Sequence, residues 1–87
     1  MNNEEWLVWH PDQKTETEAQ IIFAVSSQES AEVWGETVDY ISKKYSIANG
    51  NSVVVKVRHV KTRALYKFRV SGKIPEPVYM AEEIVET

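Results

Sequence analysis

Cysteine is absent from the 87-residue sequence, which excludes disulfides, thiolate metal sites and cysteine nucleophiles together. Glycine is nearly as scarce. Gly35, Gly50 and Gly72 stand singly, so no glycine-rich loop is available to cradle a phosphate. The two histidines, His10 and His59, lack companions at metal-ligand spacing, and neither a metal nor any other cofactor is expected. No apolar run approaches the roughly 20 residues of a membrane-spanning helix. The amino-terminal stretch MNNEEW is acidic where a secretory signal would be basic. These absences predict a soluble, cytoplasmic protein with no membrane partner. What remains, 43% apolar residues in a chain of this length, suits one small domain spanning residues 1–87.

Charge is divided along the chain. Between Tyr40 and Pro75 there is no Asp or Glu, yet nine of the ten basic residues lie there, and all 13 acids lie outside. The centre of that basic region, Val53 to Gly72, has the period of two that marks half-buried strands. Val53, Val55 and Val57 alternate with Lys56 and Arg58, and Tyr66, Phe68 and Val70 alternate with Lys67 and Arg69. With Lys61 to Ala64 as the loop, the expected hairpin sets Arg58 opposite Lys67 and Lys56 opposite Arg69. Such like-charge pairs are unfavourable by a few tenths of a kcal/mol, so acidic groups should sit nearby. Glu82 and Glu83 are the first local candidates, and Glu4 and Glu5 the next.

Taken in order, the segment Glu5 to His10 reads as a strand whose two faces are both apolar, Trp6 and Val8 on one and Leu7 and Trp9 on the other. It is therefore either covered on both sides or displays a tryptophan. The tripeptide His10-Pro11-Asp12 is also the signature of J-domain co-chaperones, but there it joins two helices, whereas here it follows a strand. Asp12 to Glu18 is a polar connection. Ala19 to Val25 forms a second strand with Ala19, Ile21, Phe23 and Val25 on one face. Ser26 and Glu29 then have the spacing of a capping box, which starts a helix at Ser27. Ala31, Trp34, Val38, Ile41 and Tyr45 form its apolar stripe, with Glu29, Glu32, Glu36 and Asp39 outside it, and the helix can equally end nearer Tyr40. Gly35 lies within this helix and can admit close approach to the sheet. Asn49-Gly50 is a turn, with Ile47 a candidate for a short extra strand. Gly72 and Pro75-Glu76-Pro77 break the ladder after the hairpin, and Val78 to Ile84 makes a last short strand. The expected class is α+β: one amphipathic helix packed on a mostly antiparallel sheet of four to five strands, in the order ββαββ with a short carboxy-terminal strand.

Several residues together carry a resemblance. Trp6-Leu7-Val8-Trp9, Thr15 to Ala19, Ala24, Ser30-Ala31-Glu32 with Trp34, and Val70-Ser71-Gly72 with Pro77, Tyr79 and Ala81 form a pattern similar to small uncharacterised proteins of tailed phages and prophages. The chain departs from it at Ser30, where a second alanine is usual, and around Thr62, where a glycine is expected. The resemblance implies a phage or prophage origin and a bacterial host cytoplasm, and it assigns no activity.

Catalysis is not expected. Acid/base chemistry needs paired carboxylates or a histidine in a cleft, and the acids fall on a helix surface, in a connection or at the termini. Ser71-Gly72 ends a strand and forms no nucleophile elbow. Two binding readings remain. In the first, the chain is an accessory factor that docks on a host or phage protein through a basic sheet face comprising Lys56, Arg58, Lys61, Arg63, Lys67 and Arg69. In the second, the same six cations contact the phosphates of a nucleic acid. The acidic net charge of -3 favours the first.

Overall fold

In the computed structural model, which describes residues 3–85, the alternating segments become five strands. These are β1 (Glu4–Trp9), β2 (Gln20–Ala24), β3 (Val53–His59), β4 (Leu65–Lys73) and β5 (Val78–Glu83). Between β2 and β3 lies the helix α1 (Ser27–Ser42), and a 3-10 turn occupies Glu16–Glu18. The class is α+β, with a single antiparallel sheet ordered β2-β1-β3-β4-β5.

Helix α1 starts where the capping pattern places it. Ser26 Oγ accepts the Glu29 N–H at 3.1 Å, and Glu29 reaches back to the Val25 N–H at 3.3 Å. One sheet face packs against it. That inner face carries Trp6, Val8, Ile22, Ala24, Val55, Val57, Phe68, Val70 and Ala81, all buried. The lack of a side chain at Gly35 brings the helix close, since a Cβ there would lie 2.7 Å from Val70 Cγ1. Trp6 is fixed further by its indole N–H, which donates to the Ala24 carbonyl at 3.0 Å.

The helix ends between the two expected limits, Tyr40 and Tyr45. Lys43 adopts a left-handed conformation (φ 62°) and closes α1 after Ser42, so Ile41 is 67% exposed and Tyr45 lies outside the helix. The buried stripe is shifted to Ser30, Ala31, Trp34, Gly35 and Asp39. Asp39, expected on the outer surface, is 2% exposed because the loop after the helix folds back onto it. Its Oδ1 accepts the Ile47 N–H at 3.2 Å, and its Oδ2 accepts the Ala48 N–H and the Tyr79 hydroxyl, each at 2.9 Å. Ile47 is thus buried in a turn and joins no strand.

This carboxylate has a measurable effect on its partner. Burial first, and then the hydrogen bond and negative charge of Asp39, push the Tyr79 hydroxyl up to about 12 from its ordinary 10. A group whose folded-state value is raised contributes stability below its unfolded value and loses it as pH climbs toward the folded one. Stability is therefore expected to fall between about pH 10 and 12. In an ultraviolet tyrosinate titration of the four tyrosines, Tyr79→Phe should remove the late-titrating component. A late component that persists in this variant would contradict the assignment.

Strand β2 turns the opposite face inward from its larger residues. Ile22 and Ala24 enter the core, while Ile21 and Phe23 point outward at 58% and 61% exposure, and Val25 follows at 39%. Strand β4 also runs further than expected. Gly72 remains in the ladder opposite Tyr79, and the break comes at Ile74 to Pro77.

Candidate functional site

The six cations can now be placed. In β3 and β4 the inward alternation of Val55, Val57, Phe68 and Val70 forces Lys56, Arg58, Lys67 and Arg69 onto the outer face, away from α1. Lys61 and Arg63 lie in the connecting loop, at the end of the hairpin.

The hairpin register differs by two residues from the expected one. His59 N–H donates to the Ala64 carbonyl at 2.9 Å and Arg63 N–H to the His59 carbonyl at 2.9 Å, so the loop closes one residue early, helped by a left-handed Arg63 (φ 66°). His59 Nδ1 accepts the Thr62 N–H at 2.9 Å inside that loop. Lys56 therefore faces Lys67, Arg58 faces Leu65, and Arg69 faces Val54. One like-charge pair is left in place of two.

The compensating acid is also different from those expected. Glu16, in the 3-10 turn, takes Arg58 Nε on Oε1 and Arg63 Nη2 on Oε2, each at 2.9 Å. Arg58 Nη1 also donates to the Arg63 carbonyl at 2.7 Å. The hydrogen bond from Arg58 holds the Glu16 carboxyl below its ordinary 4.5, with the Arg58 charge and then Arg63 adding to the effect against partial desolvation. A signal for this turn is present in the sequence. Thr15 and Glu18 have capping-box spacing, and the Glu18 carboxylate accepts the Thr15 N–H at 3.2 Å. The 3-10 turn lies against β1, and its arginine clamp holds it on the outer side of β1 and β3. Trp9, which points to that side, is only 7% exposed, so both tryptophans of β1 are covered.

Of the terminal acids, Glu4 pairs with His59, Oε1 to Nε2 at 2.8 Å, while the His59 ring packs edge-on against Trp6. Glu82 lies across from Arg69 on β5 without an ion pair within 4.0 Å. The outer face thus has two parts. Toward the loop, Arg58 and Arg63 are engaged by Glu16. Across the middle, Lys56, Lys67 and Arg69 occupy adjoining positions on β3 and β4, with Glu82 opposite Arg69 and exposed Leu65 and Met80 nearby.

Among the described residues no group of three or more His, Asp or Glu side chains converges as a metal site. No helix in them is long and apolar enough to cross a membrane. No protein-family pattern, curated protein or solved structure matches the chain.

Proposed function

We propose that this chain is a small non-enzymatic binding protein, a phage or prophage accessory factor that docks on an acidic surface of a host or phage protein through the outer face of β3 and β4. One observation carries the reading: alternation puts Lys56, Lys67 and Arg69 side by side on the sheet face that no helix covers, among exposed apolar side chains. A cationic centre with apolar flanks suits a protein surface, where charge steers encounter and apolar area supplies affinity. Arg58, Arg63 and Lys61 border this patch, the first two acting through their grip on Glu16.

The test is a charge reversal that leaves the arginine clamp intact. Lys56→Glu with Arg69→Glu should leave the melting temperature unchanged while abolishing recovery of a specific partner that the unaltered chain captures from host lysate. Equal recovery by both proteins would remove the face from consideration. Nucleic acid is the competing ligand for the same cations. If it were bound, log affinity should fall against log salt with a slope of about -0.9 for each phosphate contacted on duplex. The protein-docking reading expects no such binding at low salt.

A further inference from the structure

The two edges of the sheet are finished differently. At one end of the strand order β5 is closed off by the helix: Glu32 Oε2 accepts the Ala81 N–H at 3.2 Å, and Gln28 Nε2 donates to the Ala81 carbonyl at 3.1 Å. Side chains of α1 thus occupy main-chain groups that a further strand would use. Pro75 and Pro77 precede β5, and Glu82 and Glu83 end it, which also discourages added pairing.

At the other end, β2 lacks these devices among the described residues. Its sequence QIIFA contains no proline, and no charged residue occurs between Glu18 and Glu29. It has a strand neighbour on one side only, β1. Ile21 and Phe23 stand exposed in a row on its outer face, and Val25 continues the row. An unblocked edge carrying apolar side chains is a template for strand addition.

We propose that this edge pairs with the same edge of a second copy of the chain, antiparallel and about a twofold axis at Ile22, joining the two sheets into one. Two observations select a second copy. It carries the same net charge of -3, so self-association needs a seam free of charge, and β2 supplies one. The strand is also complementary to itself. Centring on Ile22 is the one antiparallel register that pairs all five residues, and it sets Ile21 of each copy across from Phe23 of the other. Aromatic and β-branched side chains in that relation are favourable cross-strand pairs. Because α1 occupies the β5 edge, pairing through β2 uses up the open edge and assembly stops at two copies. A seam of five residues is far shorter than the roughly 20–30 residues a side of a standard interface, so the dimer is weak and concentration-dependent.

The test is sedimentation equilibrium of the full chain over a range of concentrations. The unaltered chain should pass from monomer to dimer between micromolar and millimolar concentration, and no further. Ile21→Lys with Phe23→Lys sets lysine against lysine at both crossings. It should weaken pairing about tenfold at an unchanged melting temperature, since both side chains are exposed. Ile21→Glu with Phe23→Lys instead sets glutamate against lysine, and should associate about tenfold more tightly than the double-lysine variant. A pairing centred on Ile21 or Phe23 would place like charges opposite and give no such recovery. Proton–nitrogen spectra of the unaltered chain supply a check that needs no variant: as concentration rises, amide signals of β2 should shift and those of β5 should stay in place. A chain that remains monomeric at millimolar concentration, grows into larger assemblies, or dimerises no better than its double-lysine variant would overturn the proposal. So would uptake of an extended apolar peptide at β2 by a chain that does not pair with itself. None of these results bears on the charge reversal at Lys56 and Arg69, which lie on β3 and β4.

Discussion

Asp39→Ala is expected to cost this fold a large share of its stability. The substitution strands the buried N–H groups of Ile47 and Ala48 and the part-buried hydroxyl of Tyr79 around a carboxylate that is itself 2% exposed. Each unsatisfied buried group costs about 1–3 kcal/mol, against a total of about 5–15 kcal/mol for a domain. Relief of the carboxylate's own desolvation offsets part of this, and a net loss of about 3–5 kcal/mol is expected. Urea unfolding measures it directly. Tyr79→Phe should cost only about 1 kcal/mol, and less still when Asp39 is already alanine, because the two share one hydrogen bond. A loss below about 1 kcal/mol for Asp39→Ala would mean that the loop after α1 is held by something else.

Gly72→Ala should also destabilise, although strand propensity alone predicts a gain. Alanine loses less backbone freedom than glycine when ordered, an advantage of about 0.4–1 kcal/mol where the conformation allows it. Here the space does not. A Cβ at position 72 would lie 2.9 Å from Ala48 Cα, 3.1 Å from the Val78 carbonyl oxygen and 3.2 Å from Ala48 N. All three are backbone atoms, one pair in a loop tied to Asp39 and the other in the neighbouring strand, so relief requires moving chain and not a side-chain rotation. Overpacking of this kind costs about 1–3 kcal/mol and outweighs the entropic gain. Gly72→Val should cost more, in the same unfolding measurement. A rise in stability for either variant would show that the loop is free to retreat.

The sequence reading succeeded where a local rule decided the outcome. Alternation alone located β3 and β4 and their inward valines, and the Ser26 and Glu29 spacing located the start of α1. It went wrong where a distant group intervened. Nothing local marks Asp39 as buried, because the donors that satisfy it lie in a loop and in β5. Periodicity left the end of the helix open between Tyr40 and Tyr45, and the left-handed Lys43 is what closes it after Ser42. In the candidate binding face the outward direction of Lys56, Arg58, Lys67 and Arg69 was legible from the period of two. The pairing register was not, since it depends on how the loop closes around His59 and Arg63. Glu16 was missed as the arginine partner because it lies 42 residues from Arg58 and 47 from Arg63, although the Thr15 and Glu18 spacing could have revealed the turn that carries it.

The strand order has a consequence for biosynthesis. β1 lies between β2 and β3, so it gains its second neighbour only after the helix and the following loop have been synthesised. A growing chain that has produced only β1, β2 and α1 leaves Trp6 and Val8 without the β3 flank that completes their burial. Completion of this sheet therefore waits for β3, and a fragment ending before it would expose apolar surface that the five-stranded sheet buries.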